Sequence, residues 1–225
     1  MSVHVRRAQQ RFRTEVEGRT TWHSFSFGAH YDPDNVGFGA LVAHNDEWLQ
    51  AGSGYPDHPH VDAEIVTWVL SGSLRHTDDR GHTAVVGPGQ VQRLSAGSGV
   101  VHSESADGGL PARFVQAWVR PDESGLAPSY AVADVAMGEG WTTLVGEGAV
   151  PINTRGASLH LGVLGVDDDL ELPASPRLHV FVTAGSVTLA DEVLVDSDAA
   201  RLVDEPGRPV RGRAPETRLL VWSLP

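Results

Sequence analysis

Cysteine is absent from this 225-residue chain, so neither disulfides nor thiol chemistry contributes to its fold or its function. No uninterrupted apolar run approaches the roughly 18 residues that a membrane-spanning helix needs. The opening "MSVHVRRAQQ" lacks the apolar centre of a secretory signal. Positive charge is scarce: 17 Lys and Arg stand against 29 Asp and Glu, a formal net charge of -12. Binding a phosphate backbone or an anionic membrane requires a concentrated basic face. The short cluster "RRAQQRFR" is a solvated edge rather than such a face. These absences predict a cytoplasmic protein that contacts neither nucleic acid nor membrane. Sustained helical periodicity is missing as well; only 121–128 and 196–204 are candidates for short helices.

What the chain has instead is short strands and turn residues. Gly 25 and Pro 14 are spread along its length. Segments 37–43, 63–70, 72–78, 82–87, 90–97 and 113–120 are rich in β-branched or aromatic residues and bounded by turns. "DDRG" at 78–81 reads as a hairpin turn. The second half repeats this style. "WVLSGSLRH" (68–76) matches "FVTAGSVTL" (181–189), with Gly72-Ser73 and Gly185-Ser186 offset by 113 residues, half the chain. This predicts an internal duplication: an all-β protein of two small β-barrel domains in tandem, 1–130 and 131–225.

The halves differ in their histidines. The first contains His58-Pro59-His60 and, downstream, His102-Ser103-Glu104; the second has only His160 and His179, with neither spacing. Residues i and i+2 of a strand share a face, so each pair presents two ligating groups side by side. Two such strands facing one another would offer three imidazoles and one carboxylate. That mixed set suits a first-row divalent metal: iron, manganese, nickel, copper or zinc. Glu64 has the same parity as His58 and His60, and spacing alone does not decide between it and Glu104. Parity also nominates Val66 and Trp68 as cavity wall, with Gln116 and Trp118 on a neighbouring strand; the alternative is ordinary barrel core. Phe25 and Phe27 read as core or lid packing. His23, His30 and His44 read as surface or hydrogen-bonded residues, and His76 and His82, flanking the hairpin turn, as exposed.

Gly52, five residues, His58-x-His60, three residues and Glu64 resemble the first cupin motif, with one extra residue before Gly72. The second cupin motif is altered: four residues separate Gly97 from His102, and no asparagine follows. "HPH", "AGSGVVHSE" and the upstream "WHSFSFGAHYDPDNVGFGALVAHND" (22–46) together resemble the pirin branch of the cupins, over residues 3 to 120. The resemblance implies a bicupin, two double-stranded β-helix barrels, with one metal in the first. Iron(II) is the expected ion, held by His58, His60, His102 and Glu104, with Glu64 then a supporting or satisfied polar group; manganese, nickel, copper and zinc are compatible. The second barrel is expected to lack metal. The resemblance further implies a quercetin 2,3-dioxygenase-type reaction, in which a flavonol reacts with O2, its central ring opens and carbon monoxide leaves. Glu104 would then be the catalytic base. The alternatives are a redox-sensing regulator whose metal state is read by a transcription factor or metabolic enzyme, and a metal-binding shell without catalysis. A monomer is expected.

Overall fold

Along Val100–Ala106 burial alternates: Val100, His102, Glu104 and Ala106 are buried, while Val101 is exposed and Ser103 and Ser105 are half-exposed. Leu74–Asp78 alternates in the same way, with Leu74, His76 and Asp78 inside. The period of two is what a pleated strand with one buried face requires. It places polar side chains in the interior along with apolar ones.

The computed structural model describes residues 2–225. Strand β1 (Ser2–Arg6) precedes a single 3-10 turn at Ala8–Gln10. There follow β2 (Phe12–Val16), β3 (Arg19–His23), β4 (Leu41–Leu49), β5 (Gly54–His60), β6 (Glu64–Ser71) and β7 (Leu74–Asp78). The first half ends with β8 (Thr83–Val86), β9 (Gln90–Ser95), β10 (Val100–Ala106), β11 (Ala112–Val119) and β12 (Ser129–Asp134). The second half begins with β13 (Gly140–Val145), β14 (Ser158–Leu164), β15 (Asp169–Glu171), β16 (Ser175–Ala184) and β17 (Ser186–Leu189). It closes with β18 (Glu192–Val195), β19 (Ala199–Glu205), β20 (Pro209–Gly212) and β21 (Thr217–Leu224). Among the described residues there is no α-helix. The stretch 121–128 is loop, and 196–204, a candidate helix from sequence, runs mostly through β19. Its Ala199–Leu202 side chains are all buried, so strand pairing overrides local propensity. Among the described residues no helix is long and apolar enough to cross a membrane.

The strands form two antiparallel barrels of the cupin type. The first unit comprises residues 12–135 and 152–154. Its larger sheet has the order β12-β9-β6-β11-β4-β3-β2, and its smaller one β5-β10-β7-β8. The second unit comprises 2–11, 136–151 and 155–225, with sheets β1-β19-β16-β21-β14-β13 and β15-β20-β17-β18. Adding ten to each label of β5-β10-β7-β8 yields the second small sheet, and β9-β6-β11-β4-β3 maps likewise onto β19-β16-β21-β14-β13. The duplication read from sequence is therefore a duplication of strand plan. Gly72 and Gly185 occupy equivalent corners, with φ of 70° and 75°, where the chain passes from large sheet to small. A Cβ at Gly72 would lie 2.1 Å from the Pro111 carbonyl oxygen, so this corner excludes any side chain.

These units are not the contiguous halves 1–130 and 131–225. The first strand pairs with β19, taking the edge position in the second barrel that β12 takes in the first.

Candidate metal centre

His58 lies directly opposite His102 in the β5–β10 ladder, and His60 opposite Val100. Directly opposed residues of an antiparallel pair point to the same face. The ring centroids follow: His58–His102 are 4.4 Å apart, His58–His60 4.8 Å and His60–His102 4.9 Å. One ligating nitrogen from each of the three comes within 4.8 Å of the others. Beyond His102 the register shifts by one residue, so Tyr55 faces Glu104. Such a bulge re-aims side chains next to it. Glu104 shares a second compact group with His102 and His76.

The hydrogen bonds around these imidazoles decide which nitrogens are bare. His58 Nδ1 lies 2.8 Å from the Pro56 carbonyl oxygen, which can only accept, so Nδ1 carries a proton and Nε2 is the nitrogen placed to ligate. A longer chain acts on His102. Asp78 receives the backbone N–H groups of Arg80 and His82 and the ring of His82 (2.9 Å). Burial alone would push the Asp78 carboxyl up; the hydrogen bonds from His82, His76 and Arg80 outweigh it and hold it below its usual value. The Asp78 carboxylate therefore takes a proton-bearing Nε2 of His76, 3.3 Å away. In a neutral His76 ring Nδ1 is then an acceptor, and His102 Nδ1, 3.3 Å from it, donates. His102 Nε2 is left as a lone pair, buried and without a hydrogen-bond partner. Burial drives the His102 pKa down to about 3, with His58 and His76 adding, and that of His60 down to about 4, with His102 and His58 adding. Both rings are neutral near pH 7, the state in which imidazole ligates a metal.

Glu104 is fixed by two amides. Gln92 Nε2 donates to its Oε1 (3.2 Å) and Gln116 Nε2 to its Oε2 (2.8 Å). The amides are themselves oriented: Tyr130 donates to Gln92 Oε1 (2.7 Å) and Trp118 Nε1 to Gln116 Oε1 (3.2 Å). Beside this layer opens a cavity of about 460 Å³, within the range of small-molecule sites. His58, Glu104, Gln116 and Trp118 border it on the imidazole side, and Phe27 and Glu47 elsewhere. Phe27 stacks on His23 (4.9 Å) and meets the Trp118 ring edge-on (5.1 Å).

Several sequence expectations are corrected. Glu64 does not face this cavity. It is buried, accepting from Ser95 Oγ (2.7 Å) and from the Asn153 amide (3.0 Å). Asp62, at φ 49°, turns the chain between β5 and β6, so parity does not carry across it. For the same reason Val66 and Trp68 are buried but do not line the cavity, whereas Thr67 meets the Gln92 and Gln116 amides. His76 is fully buried rather than exposed; its neighbour His82 is exposed. His23 and His44 are both buried, and His23 is hydrogen-bonded to Thr14 (2.9 Å) and Asn45 (3.0 Å), as expected of one of the two alternatives. His76, Asp78, Gln92 and Tyr130 were not read as site residues. The alternation Leu74, His76, Asp78 is the signal that identifies the first two.

The pirin family profile matches residues 4–119. The quercetin 2,3-dioxygenase of Escherichia coli K12 is 30% identical, over 99% of each chain. The chain belongs to the pirin family. A Mycobacterium tuberculosis protein provisionally named quercetin 2,3-dioxygenase is 40% identical over 99% of this pirin and 95% of its own length. The crystal structure of the E. coli pirin YhhW in complex with nickel(II) superposes with a TM-score of 0.93 at 30% identity, covering 100% of this pirin and 99% of that chain.

Proposed function

We propose that this pirin binds one divalent transition metal through His58, His60, His102 and Glu104 and cleaves a flavonol or related aromatic with O2, as a quercetin 2,3-dioxygenase. The observation that carries the reading is the bare, buried Nε2 of His102, grouped with the imidazoles of His58 and His60 beside an aromatic-walled cavity. A lone pair buried without a hydrogen bond is costly unless something not made of protein fills the gap. Three imidazole nitrogens and one carboxylate fit a borderline divalent ion with open positions. Iron(II) is the ion proposed; a nickel complex of a relative that matches along its whole length supports a site of this kind.

A divalent ion held there supplies a Lewis acid that lowers the pKa of a flavonol 3-hydroxyl. The chain's own residues do the rest. Glu104 accepts the hydroxyl proton as general base, its carboxylate kept in one orientation by Gln92 and Gln116. Phe27 and Trp118 stack against the flat substrate and exclude water. His76 and Asp78 orient His102, the supporting role common for ligating histidines.

The test loads purified protein in turn with iron, manganese, nickel, copper and zinc and follows flavonol absorbance. Loss of absorbance with at least one metal, abolished in Glu104→Gln that still retains metal, is the expected result. Full activity of Glu104→Gln removes the base assignment; no loss with any metal removes the dioxygenase reading.

A further inference from the structure

The cavity contains a second carboxyl group to which the proposed reaction assigns no task. Glu47 stands on β4, is 3% exposed and lines the cavity. Its Oε2 accepts two hydrogen bonds, from Thr21 Oγ1 (2.5 Å) and from Tyr55 Oη (2.7 Å). Its Oε1 has no hydrogen-bond partner among the described residues. One oxygen is thus anchored to the wall and the other is an unused acceptor. The anchor is firm: Thr21 Oγ1 and Tyr55 Oη also lie 3.1 Å from each other, and the Arg19 guanidinium sits 4.2 Å from the Tyr55 ring centroid. Tyr55 leads toward the imidazoles, its ring 6.0 Å from that of His58.

We propose that Glu47 is a specificity-determining residue whose Oε1 accepts a hydrogen bond from a second hydroxyl of a polyhydroxylated aromatic ligand. The inference rests on the reading that an aromatic occupies this cavity. Aromatic walls select a flat ligand, and an acceptor in the wall requires a donor on the ligand's edge. A neutral hydroxyl suits the position better than an ammonium group. Burial pushes the Glu47 carboxyl up to about 7, with Glu104 and Asp46 adding and the Thr21 and Tyr55 hydrogen bonds opposing. A hydroxyl can hydrogen-bond to either protonation state, whereas a cation depends on the ionised one. Arg19, lining the same cavity, further disfavours a cationic ligand. A site built to bind a ligand hydroxyl discriminates strongly against the analogue that lacks it.

The test measures binding without turnover. Full-length protein is titrated anaerobically with quercetin and with 3-hydroxyflavone, which keeps only the 3-hydroxyl, and tryptophan fluorescence is followed. Wild type is expected to favour quercetin by about tenfold or more. In Glu47→Gln and Glu47→Ala the preference is expected to fall below about threefold, while 3-hydroxyflavone binds as before; Tyr55→Phe, which keeps the acceptor, is expected to retain a preference. A wild-type series lacking one hydroxyl at a time reads the same contact if the Glu47 variants do not fold. The inference is overturned if the preference survives in the variants, if no single hydroxyl deletion weakens binding more than about threefold, or if neither flavonol binds. Coupling between Glu47 and a ligand hydroxyl in a protein that never opens the ring keeps this inference and removes only the dioxygenase reading.

Discussion

At register positions where the first barrel carries Thr67, His76, Gln92, Glu104 and Gln116, the second carries Val180, Leu189, Ala200, Val210 and Val221. Glu104 faces His76 across β10–β7, and Val210 faces Leu189 across β20–β17. Gln92 and Gln116 flank Thr67, and Ala200 and Val221 flank Val180. All five second-barrel residues belong to one apolar cluster of 13 buried residues. In the first barrel the buried apolar residues include a cluster of seven around Phe114 and one of four around Ile65, and the polar five belong to neither. One strand plan thus supports two interiors. The apolar one gains stability from continuous burial. The polar one gives up part of that burial and replaces it with hydrogen bonds that must be complete, since each buried polar group left unpaired costs about 1–3 kcal/mol.

The comparison is broken most severely by exchanging its central residues. Val210→Glu places a carboxylate among aliphatic side chains with no amide to receive it. We expect a loss of about 3–5 kcal/mol by urea unfolding, the scale for an uncompensated buried charge. Glu104→Val, the reverse exchange, is expected to leave a folded protein that has lost metal. Retention of wild-type stability by Val210→Glu would show that the second interior is not committed to apolar packing.

Metal content sharpens the contrast next. His102→Ala is expected to reduce bound metal, measured by elemental analysis, from about one ion per chain to less than about a tenth of that. His160→Ala, in the second barrel, is expected to leave the stoichiometry unchanged.

A smaller effect is expected from Asp78→Asn, which keeps an oxygen for the Arg80 and His82 N–H groups but no longer dictates the His76 tautomer. Metal affinity should fall about 10–100-fold, the usual cost of losing a residue that orients a ligand, with the unfolding midpoint of the metal-free protein little changed. A change in stability without a change in affinity would reject the orienting role.

The mildest test is pH. The pKa of His60 and of His102 falls on folding, from 6.5 to about 4 and about 3, so below pH 6.5 the unfolded chain binds more protons than the folded one. Their stabilising contribution is full above about 6.5 and is lost as pH falls toward 3 to 4. The urea midpoint of metal-free protein should therefore drop between pH 7 and 5, and a flat profile would contradict the depressed values. Desolvation also lowers the pKa of His4 and of His160, so the second barrel contributes two groups of the same sign.

Much of this contrast can be read from the chain. His58, His60, His102 and Glu104 announce themselves by i, i+2 spacing, which survives folding because each pair lies within one strand. Gly72-Ser73 and Gly185-Ser186 mark the repeat because a left-handed corner with backbone packed against it tolerates little else. Parity left Glu64 open because it was counted across Asp62, where the strand ends; Glu64 is the satisfied polar group that the family resemblance implied. His76 misled because nearness to a turn was weighed above the alternation with Leu74 and Asp78. Nothing local in β1 signals that its ladder partner is β19, about 200 residues away. Glu47 lies in "HNDEWL", a stretch whose polarity reads as solvent-facing; only the fold shows that His44, Asn45, Asp46 and Glu47 are all buried.

The most direct test of the whole reading is X-ray absorption combined with anomalous diffraction on protein as isolated. We predict one divalent ion at full occupancy, bonded to the Nε2 atoms of His58 and His102, to His60 and to a Glu104 oxygen, with His76 outside its ligand shell. An ion bonded instead by His76, or no ion in a protein whose His102 Nε2 remains bare, would contradict it.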